Sequence, residues 1–265
     1  MHDTHRWLQR FTECLYGRET SGQVRGVPFL RIFAWLLLIS AVAYLLSYTV
    51  TSVRLLYLAA LGWGLLTAGV YLFRSGRRRP WTRALVAALL VPLAIYLLVA
   101  GRTPDPAQLR NAYVARLRAF NHTLYLWGGE THIGIDCSGL ARIAFCEALV
   151  AVGLRTGNPR LLGPMLWQFW WQDLGARAMR EGYGGFTLPL GAADRLAGFD
   201  APFLQPGDLA VTDNHVLIYS GRQQWIEANP SDGRVVINTA TPDSQRSYFN
   251  TAVTFVRWKA LVTPD

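Results

Sequence analysis

A cysteine ahead of an apolar segment and a histidine at the start of a strand-like run are the residues here best suited to covalent catalysis. Cys137 lies in Asp136-Cys137-Ser138-Gly139, which opens an apolar segment running to Leu154. The first turn of a helix carries unpaired N–H groups and the positive end of the macrodipole, so a thiol there is biased toward the nucleophilic thiolate. Such a nucleophile needs a base, and the base needs a third group to fix its tautomer. Of the five histidines, His2 and His5 precede long apolar runs, and His122 and His132 flank a Gly128-Gly129 turn in loops. His215 instead begins the run His215–Ser220, a rigid support from which an imidazole can face the helix mouth. On the following run, Glu227 and Asn229 are two apart and share one sheet face with Trp225, so either can accept the imidazole N–H.

The elements that must position these residues can be read in order. Thr103-Pro104-Asp105-Pro106 is a stiff, helix-starting linker, and 107–120 reads as an amphipathic helix with Leu109, Tyr113, Leu117 and Phe120 on one side. It delivers the chain to Tyr125. After the Cys137 helix, 153–164 is loop-like, and Met165–Glu181 reads as a second helix with Trp167, Phe169, Trp170 and Trp171, taken as core packing. The Gly-rich stretch 182–203 reads as an insertion without periodic signal. Beyond the turn at Gln205-Pro206-Gly207-Asp208, short β runs follow at 209–212, 215–220, 224–228 and 234–238, and 252–261 reads as a last strand. Helices first and strands second predict an α+β domain with helices packed on an antiparallel sheet.

Taken together, Tyr125-x-Trp127-Gly128-Gly129, Asp136-Cys137-Ser138-Gly139-Leu140, Pro206-Gly207-Asp208-Leu209, His215-Val216 and Tyr219-x-Gly221 resemble the NlpC-type cysteine peptidases, the papain-like cell-wall endopeptidases of bacteria. The resemblance covers about residues 103 to 260. It implies a Cys137 thiolate held as an ion pair by His215, a general base and acid, with Tyr125 near the reacting carbonyl. It also implies cleavage of peptidoglycan stem peptides, typically at the bond from D-glutamate to a diamino acid. Glu227 stands where the third polar residue of that family is more often histidine, and a Glu-x-Asn pair after the histidine is similar to the cysteine, histidine-dependent amidohydrolase/peptidase domains. Amidase or cross-bridge specificity therefore stays open, as does Asn229 as the third member. Asp136 and Ser138 either cap the helix or touch substrate, and Trp127 joins Asn229 among the expected substrate contacts.

Charge divides the chain. Arginine plus lysine minus acids is 11 − 3 = +8 over residues 1–100 but 15 − 14 = +1 over 101–265, so the basic character belongs to the first part. No nucleic-acid-binding surface is expected, no cofactor, and no metal site, because zinc-binding and phosphate-loop spacings are absent. The cysteines Cys14, Cys137 and Cys146 do not form a disulfide framework. After a polar segment, 1–26, three charge-free runs follow within 27–102: Ile32–Val50, Leu55–Phe73 and Ala84–Ala100. Each approaches the length needed to cross the roughly 30 Å hydrocarbon core, so three transmembrane helices are expected ahead of a catalytic domain at 103–265. Arg74, Arg77, Arg78, Arg79 and Arg83 follow the second run, which places that connection and the N-terminus in the cytoplasm and the domain outside a bacterial cytoplasmic membrane. Three spans exceed what anchoring requires, so a membrane-protein partner is a further expectation. Two other readings compete: a non-catalytic module that binds peptidoglycan or a partner through the same groove, and a lipid-directed acyltransferase or thioesterase.

Overall fold

The computed structural model describes positions 35, 61–65, 67–69, 80–98, 101–200 and 202–262. The chain divides into two compact units, 1–46 and 47–265, and the first lies outside the described residues except at position 35. The first expected span, Ile32–Val50, therefore lies almost wholly outside them, as does much of the second. Described parts of the second, 61–65 and 67–69, are helical. Helix α1, Pro80–Leu98, covers most of the third and carries Pro92 inside it. Among the described residues, one helix meets the length and hydropathy needed to cross a membrane, Cys137–Thr156, and 67% of its most apolar window is buried inside the domain. Its buried side chains belong to the larger hydrophobic core.

In chain order the remaining elements are α2 (Pro106–Ala119), β1 (Leu124–Tyr125), β2 (Gly134–Ile135), α3 (Cys137–Thr156), a π turn (Leu161–Met165), α4 (Leu166–Trp171), α5 (Ala176–Arg180) and β3 (Thr187–Ala193). They are followed by β4 (Leu209–Val211), β5 (Val216–Gly221), β6 (Gln224–Asn229), β7 (Arg234–Thr239), a 3-10 turn (Ser247–Asn250) and β8 (Val253–Trp258). The strands form one sheet in the order β2-β1-β7-β6-β5-β4-β8-β3. All pairings are antiparallel except β1 with β2, so the expected α+β architecture holds with a mixed rather than wholly antiparallel sheet.

Two cores follow from strand alternation. Leu109, Leu117, Leu140 and Phe145 of α2 and α3 close on Ile218, Ile226 and Trp258 from one sheet face. Leu217, Trp225 and Phe255 from the opposite face pack with Leu196 and Phe249 of the covering loops. The buried polar tips in the first core are paired: the Tyr113 hydroxyl donates to the Ala141 carbonyl at 3.0 Å and accepts from Trp258 Nε1 at 3.2 Å. Asp208 of the Pro-Gly-Asp turn is fully buried and takes a two-pronged bond from Arg257, both contacts 2.7 Å.

Three sequence expectations are corrected here. The Met165–Glu181 helix is broken: α4 ends at Trp171, Gln172 is extended, and α5 restarts after Gly175. Of its aromatic stripe only Phe169 is buried, while Trp167 is 48% exposed. The 153–164 loop is shorter than expected, because α3 runs to Thr156 before a left-handed Gly157 cap. The supposed insertion 182–203 contains β3, an edge strand paired to β8 with a bulge between Pro189 and Gly191. Proline is tolerated on an edge, and the bulge erases the two-residue period that would have betrayed a strand.

Candidate active site

The helix mouth is built before the thiol is placed. Asp136 adopts an extended conformation (φ −96°, ψ 178°) and its Oδ1 accepts the Gly139 N–H at 2.6 Å, a side-chain N-cap. The same oxygen accepts from the Ser138 hydroxyl at 3.0 Å, and Oδ2 accepts the Gly128 N–H at 3.0 Å. Asp136 thus ties the Gly-Gly turn to α3. Gly139 is needed for close approach, since a Cβ there would stand 2.5 Å from the Gly129 carbonyl oxygen. Gly128 takes φ +70°, a conformation that favours glycine. Asp136 and Ser138, expected as caps or substrate contacts, are engaged in the cap.

Cys137 is the first residue of α3, 8% exposed, with its sulfur 4.0 Å from the Asn214 carbonyl. The thiol does not have the lowered pKa expected of a helix mouth. Burial, followed by the nearby Asp136 carboxylate, pushes it up to about 12, and the backbone N–H groups of Val216, Ser138 and Cys137 offset only part of this. Burial therefore opposes the expected thiolate, and the thiol lies beside the His215 segment.

His215 is held by the β4–β5 turn. The Thr212 backbone N–H donates to the His215 carbonyl at 2.9 Å, and the His215 N–H donates to Thr212 Oγ1 at 3.0 Å. Its Nε2 lies 2.8 Å from Oε2 of Glu227, with both side chains buried. The register Tyr219 to Trp225 and Ile218 to Ile226 sets Glu227 on the face of Trp225, so the carboxylate reaches the ring from the neighbouring strand. With an ionised Glu227 at Nε2, the bonded tautomer carries its proton there and leaves Nδ1 as the basic nitrogen.

Asn229 does something else. Its Oδ1 accepts the N–H groups of Ser231 at 2.8 Å and Asp232 at 3.3 Å, closing the β6–β7 turn. His132 pairs with Glu147 and stacks on Phe120, ring centroids 4.0 Å apart. Tyr125 ends β1, and its phenol is pushed up to about 12 by burial, then by the proximity of Cys137, Asp136 and Tyr248. Trp127 stands 85% exposed beside the exposed Leu126 and Ile133. A cavity of about 650 Å³ lies elsewhere, between Thr103, Phe169, Phe186 and Lys259.

Two residues at the site were not singled out in the sequence. Tyr248 lies on the His215 ring, centroids 3.7 Å apart and planes 10° apart, and its phenol is raised by burial and by the proximity of Cys137 and Glu227. Arg246 places Nη1 3.7 Å from Oε1 of Glu227 and 2.6 Å from Oδ2 of Asp232. The signal for Arg246 was available in kind: a buried carboxylate needs a cation. Among the described residues no cluster of three or more metal-ligating side chains occurs.

Residues 122–254 match the profile of the NlpC/P60 family. Comparison with curated proteins returns no match. Among solved structures, NlpC1 from Trichomonas vaginalis is 16% identical with a TM-score of 0.38, over 60% of this chain and 47% of that one. The NlpC/p60 domain of the peptidoglycan hydrolase SagA is 20% identical with a TM-score of 0.34, over 56% of this chain and 97% of that one. The peptidoglycan hydrolase RipB from Mycobacterium tuberculosis is 19% identical with a TM-score of 0.36, over 64% and 87%. The chain thus spans about half the length of NlpC1 and most of the other two.

Proposed function

We propose that this chain, which belongs to the NlpC/P60 family, is a membrane-anchored cysteine hydrolase that cleaves amide bonds in peptidoglycan stem peptides, of the D,L-endopeptidase type. The observation that carries the reading is the 2.8 Å bond between His215 Nε2 and Glu227 Oε2 on the strands beside a cysteine at the mouth of α3. Sγ of Cys137 attacks the amide carbonyl carbon as Nδ1 of His215 takes the thiol proton. The leaving amine departs with that proton, and water, deprotonated by the same nitrogen, releases the acyl group and restores the thiol. Glu227 holds the imidazole in the tautomer this requires and offsets the charge it gains. The Cys137 backbone N–H, at the helix start, is suited to receive the developing oxyanion, with the Tyr125 phenol as a second donor. Trp127, largely exposed near the Gly-Gly turn, supplies an aromatic surface for substrate.

Anchoring is supported by α1, whose Leu90, Val91, Leu93 and Ile95 are all more than half exposed, an apolar surface around the helix that water solvates poorly. With three spans and the arginines of 74–83 inside, the domain faces outward.

The test is incubation of the full-length chain in detergent with purified peptidoglycan and mass analysis of the released fragments. Stem-peptide fragments that disappear with Cys137→Ala are expected. Equal release by that variant would refute the nucleophile, and a reporter fused after Asp265 that scores as cytoplasmic would refute the cell-wall assignment.

A further inference from the structure

Glu227 carries a formal charge that a neutral third residue would not bring, and it is fully buried. One oxygen, Oε2, is bonded to His215, while Oε1 has no hydrogen-bond partner among the described residues. An isolated carboxylate in that position costs several kcal/mol unless a cation balances it or it takes a proton. The facing groups are few: His215 at Oε2, Arg246 at 3.7 Å from Oε1, and the Tyr248 phenol, whose raised pKa includes a contribution from Glu227. Around His215 stand Glu227 and Tyr248, with Cys137 beside the 214–216 backbone, and the preceding Asp213 is paired with Arg180.

From this arrangement we infer that Arg246 is a positioning residue of the catalytic dyad, acting through Glu227 to set the proton affinity of the His215–Glu227 pair. This rests on the reading of His215 as the base. The guanidinium is itself anchored: Asp232 accepts from Nη1 at 2.6 Å, and Asp232 sits in the turn that Asn229 closes. On its own segment the Asn250 side chain donates to the carbonyls of Ser244 and Arg246, at 2.8 and 3.0 Å. A chain of contacts thus runs from Asn229 through Asp232 and Arg246 to Glu227 and His215. Asn229, weighed beside Glu227 as the imidazole's acceptor and expected as a substrate contact, bonds the β6–β7 turn.

Counting Asp232, which shares the guanidinium, an ionised Glu227 beside a neutral imidazole leaves the cluster with one negative charge in excess, and protonating the ring balances it. Without the guanidinium the same groups carry two negative charges in excess, and protonating the ring removes one of them, so the proton is held more tightly. Removing Arg246 therefore makes the pair hold its proton to higher pH, and the base is switched off over more of the neutral range. A cation within about 4–6 Å shifts such an equilibrium by about 1–3 pH units, and a partly exposed one lies at the low end.

The test needs no substrate. The full-length chain is alkylated with iodoacetamide across the pH range in which histidine titrates, and modification of Cys137 is followed by the mass of its peptide. Arg246→Met is expected to move the acid limb of the rate profile up by about one pH unit, and Arg246→Lys to restore most of it. In a Glu227→Gln background, Arg246→Met is expected to move the limb little, because the charge it balances is gone. A fall in rate at every pH with the limb unmoved, in a variant that keeps the wild-type circular dichroism spectrum, overturns the inference. So does a shift of equal size in the Glu227→Gln background. If the limb moves as expected but no peptidoglycan fragment is released, the electrostatic role stands and the substrate assignment fails.

Discussion

The Tyr248 ring lies flat on the imidazole of His215, with centroids 3.7 Å apart and 10° between the planes. Tyr248 comes from the 3-10 turn between β7 and β8, and His215 from the turn before β5. The stack therefore closes a loop from one part of the sheet over the imidazole from another, covering a face of the ring that water would otherwise reach.

Tyr248→Phe keeps the stack and is expected to hold kcat/KM close to wild type. Tyr248→Ala uncovers the ring and is expected to lower kcat/KM by up to about tenfold, the size of an aromatic pair's interaction free energy. Steady-state release of peptidoglycan fragments measures both. Equal losses in the two variants would assign the effect to the hydroxyl and not to the stack.

Glu227 and Asn229 separate by the bonds they make: Glu227 to His215, Asn229 to the β6–β7 turn. Glu227→Gln replaces the acceptor at Nε2 with an amide that cannot stabilise an imidazolium, and a loss in kcat of at least about 10²-fold is expected. Asn229→Ala removes two bonds to the β6–β7 turn and none to His215, so its direct effect on kcat is expected to stay within a few-fold, alongside a loss in thermal stability of about 1–2 kcal/mol. A loss from Asn229→Ala as deep as that from Glu227→Gln would reverse the roles.

Sequence exposed the parts of this site that depend on local pattern. The helix start at Cys137, the cap residue Asp136 and the strand bearing Glu227 are set by neighbours within a few positions, and their spacing is readable. Arg246 and Tyr248 reach the dyad across the loop between β7 and β8, where no period constrains the chain, so only the charge demand of a buried glutamate could have pointed to one of them. The thiol's ionisation is harder to read from sequence for a different reason. Helix-mouth electrostatics is legible from sequence, but desolvation depends on how deeply the sulfur is packed, and here burial wins. Strand β3 was hidden by a proline and a bulge at the sheet edge.

The Pro-Gly-Asp turn is a structural staple. Asp208 is fully buried, bonded to Arg257 through both oxygens and to the Gln205 N–H at 2.7 Å, with Arg110 3.8 Å away. Asp208→Asn keeps the shape but leaves two cations without their counter-charge. Breaking one side of such a pair costs about 3–5 kcal/mol. A fall in Tm of about 10 °C is expected by differential scanning calorimetry, with the kcat of the folded fraction nearly unchanged. A Tm within about a degree of wild type would show that the pair contributes little net free energy, as surface pairs do.

The raised thiol makes two expectations about pH. Because the folded pKa lies near 12, above the ordinary thiol value, the folded state holds this proton more tightly than the unfolded chain does. The associated stability is fully present below the ordinary thiol pKa and is lost as pH rises from there toward about 12. Alkylation of the unliganded protein should follow the same logic: slow at neutral pH, where only the His215-assisted route operates, and rising again in the alkaline range. Asp136 is the second cause of the shift, and Asp136→Asn keeps an oxygen for the helix cap while removing the charge. That variant is expected to lower the alkaline midpoint of Cys137 alkylation and speed labelling at about pH 9, where the thiolate fraction is limiting. A midpoint already at or below the ordinary thiol range in the wild-type chain would show that the resting site holds a thiolate after all.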